Sequence, residues 1–390
     1  MDFTLSDEQQ MVREMVREFA DEYLAPRAHE LDVNRQPPLE HIKRLSELGI
    51  IAPIVPEEYG GPGMDTLSYA IISEEVGRVC ASTASTIGAH CSLCCYPIML
   101  FGTDEQKRQW LPKLASGEVI GSFGLTEPMA GSDAAGIRTA AVPDGKGNYI
   151  VNGSKQWITN GSFAGVIVLL ATTNPAKGLM GITPFIVPYD TPGFERGAVE
   201  DTMGIRGSQQ SVLSFKDMVV PEEWILGGHR GLGRGFMYAM KTLDSGRIGV
   251  GAMCVGMAQG AMEKAIAFVK TREQFGRVIS EFQGLQWYLA EMAADVFAGR
   301  NMVYRVACDK DAGKDIATQA AMAKLFCSEM AQRVVDRALQ LHGGYGFCKE
   351  YDVERYYRDV RITRIYEGTN EIQKNIIARD VLKRDPKSWY

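Results

Sequence analysis

The spacing of the apolar residues changes twice along this chain, and that change limits the possible folds more than any other feature. Up to about residue 120 the apolar residues recur at helical spacing, as Val12 and Val16 do. The next hundred residues hold short β-prone runs separated by Gly and Pro, and the rest returns to long helical periods. The sequence therefore predicts an α+β protein with three domains, at 1–120, 121–230 and 231–390.

Each predicted domain has its own architecture. We expect an N-terminal helical domain, a middle β-barrel or sandwich domain and a C-terminal four-helix bundle. The Asn152-Gly153 dipeptide predicts a hairpin turn within the middle domain. Further strands are predicted at 164–171, 182–187 and 211–220, and C-terminal helices at 237–270, 282–312, 316–341 and 370–381.

Composition narrows the possible partners and the compartment. The net charge of the 390 residues is -6 and their Lys and Arg form no cluster, so neither nucleic acid nor an anionic membrane is expected as the main partner. The N-terminal segment lacks the basic and apolar parts of a secretory signal, and no apolar run is expected to span a bilayer. We therefore predict the cytoplasm, or an organelle matrix after processing.

Two patterns suggest cofactor or metal sites but do not have the context for them. The CxxC spacing of Cys91 and Cys94 has no second pair, and the five histidines fall at no ligand spacing, so we expect no metal and interpret the cysteines as core packing. The glycines at 231, 233 and 235 do not follow the strand that a Rossmann loop requires. We expect this cluster to lead into a helix.

The segment 364–373 presents a carboxylate, Glu367, beside Gly368, Thr369 and Asn370, between two amphipathic runs. Taken alone, this composition is more typical of a surface turn that ends in a helix N-cap. A carboxylate presented by a turn between helices is also a candidate general base. The segment by itself leaves both interpretations open.

Two upstream motifs favour the second interpretation. Residues 123–132 read FGLTEPMAGS, and Trp157-Ile158-Thr159-Asn160 follows in the β-prone region. Either could be an ordinary loop or strand, but both in this order, followed by Glu367, resemble the acyl-CoA dehydrogenase family of flavoproteins. The resemblance extends over nearly the whole chain.

The resemblance implies FAD as the cofactor, held by loops. Thr126 would lie against the flavin ring, Trp157 would pack on it, and Thr159 would hydrogen-bond near N5, while Ser132 would lie near the CoA part of the substrate. In this half of the chain the implied cofactor residues are Phe123, Leu125, Thr126, Gly131, Ser132, Trp157, Ile158 and Thr159.

A second group of residues resembles the stretch that meets the FAD pyrophosphate and adenine of a neighbouring subunit. A guanidinium suits a diphosphate because it offers paired donors and a permanent charge. The group therefore implies an obligate oligomer, in this family a homotetramer built as a dimer of dimers. Its members, together with two residues that follow the candidate base, are Arg272, Phe275, Gln283, Gln340, Gly343, Gly344, Thr369 and Glu371.

For the substrate, the run Leu243 to Arg247 matches a helix start that contacts the adenine and ribose of CoA, through Asp244 and Arg247. An ordinary surface ion pair is the alternative for these two residues. Some branches of the family carry the base at the position of Gly246, so Glu367 is the matching base here. Ala84 stands where the branch that acts on glutaryl-CoA has an arginine, which disfavours a dicarboxylic substrate. The implied substrate residues are Ser132, Asp244, Arg247, Tyr366 and Gly368.

The implied reaction is the α,β-dehydrogenation of an acyl-CoA thioester of short to medium length. No side chain accepts a hydride, so a redox cofactor is needed. Glu367 would take the α-proton and flavin N5 the hydride from Cβ, giving trans-2-enoyl-CoA, with an electron-transferring flavoprotein as the acceptor. Three alternatives stay open: a branched or alicyclic acyl group, an acyl-CoA oxidase, although oxidases of this kind are usually longer, and a non-catalytic scaffold.

Overall fold

The structure is a computed structural model that describes residues 4–383 and residue 385. Residues 1–3 lie outside the described residues; they open the first predicted domain and the segment that lacks a signal pattern. Residues 384 and 386–390, at the end of the third predicted domain, also lie outside them. Within them the elements follow the predicted order of helices, then strands, then helices. The α+β fold class with its three regions is confirmed, and the domain boundaries near residues 120 and 230 stay a prediction.

In the N-terminal region, α4 is buried along its whole length and packs against α1 and α5. Two of the helix starts carry the capping box that the sequence shows, one at Ser6 with Gln9 and one at Thr103 with Gln106. The helices are α1 (Asp7–Phe19), α2 (Ala25–Asn34), α3 (Leu39–Glu47), α4 (Thr66–Val79), α5 (Ala81–Gly88), α6 (Tyr96–Phe101) and α7 (Asp104–Ala115), and a π-helical segment, Ala89–Cys95, joins α5 to α6.

The continuous helical run Ala81–Phe101 corrects one prediction. It is long and apolar enough for a membrane span, contrary to the expectation that no such run exists. However, 67% of its most apolar window is buried inside the protein, as in the core helix of a soluble protein. The cysteines at 91, 94 and 95 lie in this run with their side chains in the core, as predicted.

The middle region is one seven-stranded sheet rather than two packed sheets. The central strand β4 pairs in parallel with β1 and in antiparallel with β5, and the order along the main path is β1-β4-β2-β3-β7-β6. One face covers a compact core that contains Val151, Phe185 and Leu213. The strands are β1 (Gly121–Gly124), β2 (Ala140–Pro143), β3 (Asn148–Ile158), β4 (Val166–Thr172), β5 (Ile182–Pro188), β6 (Phe194–Val199) and β7 (Ser211–Pro221).

The predicted hairpin at Asn152-Gly153 is wrong. Both residues lie inside β3, which continues to Ile158, and the register against β7 shifts between Val151 and Gly153. Gly153 has φ 149°, and a Cβ atom there would lie 2.7 Å from Cα of Thr139. Gly153 therefore allows a β-bulge and a close approach to the backbone of Thr139. An Asn-Gly dipeptide suits such a bulge, just as it suits a turn.

The C-terminal region contains the four predicted helices and one shorter helix that the sequence pattern missed. They are α8 (Gly235–Thr271), α9 (Gln283–Asp311), α10 (Ala317–His342), α11 (Val353–Val360) and α12 (Asn370–Val381), and two short strands, β8 (Glu273–Gln274) and β9 (Arg277–Val278), form a hairpin before α9. The glycine cluster leads into α8 as expected. Leu243 is not at a helix start, because α8 begins eight residues earlier.

The three regions meet around α8. This helix packs against α4, α9 and α10 in the main core. A smaller apolar cluster joins it to the loops of the sheet, through Leu125, Leu170 and Leu243 among others. The loop after β1 is thereby held against the same helix that approaches the Glu367 segment.

Candidate active site

A cavity of about 440 Å³ lies where the three regions meet. Its walls come from α4, α5, the loops after β1 and β3, α8, α12 and the segment before α12. Of the predicted site residues, it is lined by Phe123, Leu125, Thr126, Gly131, Ser132, Trp157, Ile158, Thr159, Arg247, Tyr366, Glu367 and Gly368. The structure therefore brings the three sequence motifs together.

The loop after β1 is fixed by a buried lysine that the sequence reasoning missed. Lys155, which is fully buried, donates from Nζ to the carbonyl oxygen of Leu125 at 3.0 Å and to Oε1 of Glu127 at 2.8 Å. The N–H of Gln156 also donates to the carbonyl oxygen of Thr126 at 3.0 Å. These bonds tie residues 125–127 to β3, so the two loops that line the cavity hold a fixed position relative to each other.

Trp157 faces the cavity because of its backbone. It lies at the second register shift of β3, has φ 56°, and leaves 51% of its surface exposed. A left-handed backbone costs a non-glycine residue about 1–2 kcal/mol, so the position needs support from its neighbours. Asn160 supplies some of it, since its buried amide donates to the carbonyl oxygens of Thr86 and Gly121 and holds the motif against α5 and β1.

The segment that carries Glu367 is also left-handed, with φ 51° at Glu367 and 88° at Gly368. Their two carbonyl oxygens accept hydrogen bonds from three side chains. Arg247 Nε donates to Glu367 at 3.4 Å, Lys324 Nζ donates to Gly368 at 2.8 Å, and Gln373 Nε2 donates to both, at 3.2 and 2.8 Å. Donors from α8, α10 and α12 therefore fix the conformation that presents the carboxylate.

The Glu367 carboxyl group is buried at the cavity wall. Its Oε2 has no hydrogen-bond partner among the residues that the structure describes. Burial raises the pKa of Glu367 to about 7, and the positive charges of Arg247 and Lys324 limit the rise. A Cβ atom on Gly246 would overlap Oε2 and lie 3.0 Å from Cδ of Glu367. The glycine therefore leaves the space that the carboxyl group occupies.

Lys324 is the second buried lysine that the sequence reasoning missed. Its side chain is fully buried in α10, and Nζ also donates to Oδ1 of Asn370 at 2.9 Å. Burial lowers the pKa of Lys324 to about 8, and the nearby charge of Glu367 opposes this shift. Lys324 therefore holds the segment in place and also brings a positive charge near the candidate base.

Some of the predicted site residues make structural contacts and do not line the cavity. Asp244 does not line the cavity; it accepts a hydrogen bond at 2.8 Å from Arg247, whose side chain turns toward Glu367. Thr369 is the N-cap of α12, where its hydroxyl accepts from the N–H of Ile372, and Glu371 is exposed in the first turn. Neither of these two residues lines the cavity, and their contacts with a cofactor stay a prediction.

A second cavity, of about 520 Å³, collects most of the predicted pyrophosphate and adenine residues. Arg272, Gln340, Gly343 and Gly344 line it, and the Arg272 guanidinium lies 5.2 Å from the ring centroid of Tyr345. Phe275 and Gln283 are exposed beside it but do not line it. The two cavities share no residue.

The sequence contained a signal for the two lysines. Lys324 interrupts the apolar run of α10, and Lys155 follows Gly153-Ser154 in a strand with alternating burial. A lysine on an apolar face is rarely buried unless it has partners. What the sequence could not show is that each lysine pairs with one backbone carbonyl group and one side chain that are distant in the chain.

Comparison with known proteins agrees with this geometry. Three family models match: the acyl-CoA dehydrogenase N-terminal domain at residues 6–118, the middle domain at 122–218 and the C-terminal domain at 233–382. The short-chain specific acyl-CoA dehydrogenase of Clostridium acetobutylicum is 46% identical over 98% of this chain and 100% of its own. The structure of butyryl-CoA dehydrogenase from Megasphaera elsdenii superposes with a TM-score of 0.96, at 44% identity over 98% of this chain and 100% of that one.

A third match is a chain in the structure described as "Electron transferring flavoprotein of Acidaminococcus fermentans: Towards a mechanism of flavin-based electron bifurcation". It has a TM-score of 0.96 and 45% identity over 98% of this chain and 100% of that one. The family models together cover most of the chain, and the relatives match it from end to end. The chain therefore belongs to the acyl-CoA dehydrogenase family.

Proposed function

We propose that this protein removes two hydrogens from an acyl-CoA thioester to give trans-2-enoyl-CoA, with Glu367 as the base for the α-proton. The observation that carries the proposal is the Glu367 carboxyl group. It is buried, Oε2 has no partner among the described residues, and the same cavity is lined by the 123–132 and 157–159 segments. A carboxyl group in this state is available to a substrate rather than engaged in the fold.

The environment of Glu367 suits proton abstraction. A carboxylate accepts a proton from carbon more readily when its pKa is high, and burial raises the pKa of Glu367 to about 7. Arg247 and Lys324 keep the charged form accessible near neutral pH. The base is therefore both basic and substantially ionised at the pH where such an enzyme works.

The backbone at Glu367 offers a donor for the thioester oxygen. The carbonyl groups of Glu367 and Gly368 are turned toward Arg247, Lys324 and Gln373, whereas the N–H of Glu367 makes no hydrogen bond with any residue that the structure describes. An N–H group donating to the thioester oxygen stabilises the enolate that forms as the α-proton leaves. The same bonds that hold the base would thus hold this donor.

FAD is the cofactor, and the residues present fit it. Trp157 exposes half of a large aromatic side chain to the cavity, and a Cβ atom on Gly131 would meet open space there. Thr126, Trp157 and Thr159 would hold the ring system, and Ser132 would lie toward the CoA end. When bound, FAD supplies the acceptor for the hydride that leaves the β-carbon.

We also propose that the second cavity serves the FAD of another subunit in a homotetramer. Arg272, Gln340 and Gly344 lie in a cavity that shares no residue with the first. Around this cavity and along α9, large apolar side chains are exposed: Phe275 at 94%, Trp287 at 60%, Phe297 at 68% and Phe347 at 89%. Exposed apolar residues on this scale are typical of protein interfaces.

The descriptions of similar proteins support a proposal for the electron acceptor and for the acyl group of the substrate. One similar chain is described together with an electron-transferring flavoprotein, so we propose such a flavoprotein as the electron acceptor. Two relatives are described as short-chain specific or as butyryl-CoA dehydrogenase, which favours a short acyl group. Ala84 lines the cavity and offers no cation for a second carboxylate. A branched or alicyclic acyl group and an oxidase activity remain the alternatives.

The test uses the purified protein and a series of acyl-CoA thioesters under anaerobic conditions. We expect about one FAD per chain, non-covalently bound, and bleaching of its absorbance by a short straight acyl-CoA. Glu367→Gln should keep FAD and bind acyl-CoA but reduce the flavin about a thousandfold more slowly, whereas Glu350→Gln, at an exposed glutamate, should not. Normal bleaching by Glu367→Gln would refute the base assignment.

The same preparations separate the alternatives. An oxidase would reoxidise its reduced flavin rapidly in air without a protein acceptor. A scaffold would not bleach with any thioester. Faster bleaching by a branched or alicyclic acyl-CoA than by butyryl-CoA would replace the straight-chain assignment while leaving the reaction unchanged.

A further inference from the structure

Tyr69, on α4, has a buried hydroxyl group that the mechanism above does not use. The residue is 1% exposed, and its hydroxyl oxygen has no hydrogen-bond partner among the described residues. Tyr69 also lines the cavity, together with Ser73 on the same helix. Buried hydroxyl groups usually find a partner, and the side chains of Ser73 and Ser92 lie near this one.

The tip of the Tyr69 side chain lies between two helices that both have glycine at this point. A Cβ atom on Gly249 of α8 would overlap the Tyr69 hydroxyl and lie 3.0 Å from Cζ. A Cβ atom on Gly88 of α5 would lie 4.0 Å from the same hydroxyl. The side chain therefore fills the gap between α5 and α8 and narrows the cavity there.

The Tyr69 hydroxyl lies close to the base along α8. Gly246 faces the Glu367 carboxyl group and Gly249 faces the Tyr69 hydroxyl. These two glycines are three residues apart on one helix, so they lie on the same face about 4.5 Å apart along the axis. An acyl chain whose α-carbon lies at Glu367 therefore meets the phenol group within a few carbon atoms.

We propose that Tyr69 limits the chain length of the substrate, by narrowing the acyl compartment about one helical turn from Glu367. The inference rests on the proposed function, because it takes the α-carbon to lie at Glu367. It names the substrate class as short straight acyl groups, whose end meets the phenol ring. Longer chains are rejected because the phenol ring occupies the space that their end requires.

The test compares kcat/KM for straight acyl-CoA thioesters from three to ten carbons, in the FAD-loaded wild type and three variants. Tyr69→Phe removes only the hydroxyl, so we expect the ratio of six-carbon to four-carbon kcat/KM to rise about threefold. Tyr69→Leu and Tyr69→Ala remove the ring, so the optimum should move by at least two carbons. Tyr69→Ala leaves the largest void and can cost about 3–5 kcal/mol of stability, so Tyr69→Leu and Tyr69→Phe keep the test decisive if it does not fold.

Tyr356→Leu is the control. Tyr356 is a buried tyrosine whose hydroxyl donates to the backbone of Arg78 and which does not line the cavity. We expect this variant to lose stability and keep the wild-type chain-length profile. An unchanged profile in all folded Tyr69 variants would overturn the inference, whereas absence of bleaching by any thioester in the wild type would overturn the proposed function instead.

Discussion

Gly246→Ala gives the sharpest test of the geometry at the base. The added methyl group would overlap Oε2 of Glu367 and lie 3.0 Å from Cδ. Carbon atoms in contact prefer about 3.5–4.0 Å, so the carboxyl group must retreat by roughly 0.5–1 Å, and its overlapping oxygen by more. Since Arg247, Lys324 and Gln373 hold the backbone of the segment, we expect the side chain, not the fold, to move.

A displacement of about 1 Å at a reacting group can cost about a hundredfold in rate. That loss corresponds to about 2.7 kcal/mol of transition-state stabilisation. We therefore expect Gly246→Ala to fold, bind FAD and bind acyl-CoA, but to reduce the flavin about a hundredfold more slowly. Anaerobic rapid mixing with a short acyl-CoA measures this rate directly, and thermal unfolding checks that the fold is retained.

The control is a double-mutant cycle with Glu367→Asp, whose carboxyl group is one methylene farther from position 246. In that background the clash with the carboxyl group is relieved and only the contact of 3.1 Å with Cδ2 of Leu93 remains, so Gly246→Ala should cost less than in the wild type, and the two effects should not add. Flavin reduction by Gly246→Ala at close to the wild-type rate would show that the carboxyl group reacts from another position. Equal cost in both backgrounds would show that the effect does not act through Glu367.

Further predictions concern the same site and the second cavity. Because Glu367 must be unprotonated to act and burial raises its pKa to about 7, the rate of flavin reduction should rise as the pH increases through about 7. Lys324→Met removes a positive charge that lowers the pKa of Glu367, so the increase in rate should occur at higher pH. Gln373→Met removes hydrogen bonds but no charge, so it should slow the reaction without shifting its pH dependence. The exchange Glu367→Gly with Gly246→Glu should restore part of the rate lost in Glu367→Gly, since the two side-chain positions overlap. Arg272→Ala should weaken FAD retention and assembly together in gel filtration; a monomer with full FAD would contradict the cross-subunit site.

Local patterns in the sequence were sufficient for much of the fold. Helical spacing predicted the four long C-terminal helices, and runs of β-prone residues predicted three of the main strands. Such local patterns predict helices and strands correctly because neighbouring residues decide both the hydrogen bonds within an element and which of its faces is buried. Asn152-Gly153 misled because the same dipeptide suits a turn and a bulge, and pairing with β7, which is distant in sequence, decided between them.

The sequence by itself also indicated which segments meet at the cavity, through the motifs around Thr126, Trp157 and Glu367. Only the tertiary structure decided what suits Glu367 to the proposed role of base. Its pKa depends on burial by several elements, and its conformation depends on Lys324 and other donors that lie on separate helices. Desolvation and long-range hydrogen bonds arise only when segments far apart in the chain pack together, so no local pattern could have shown them.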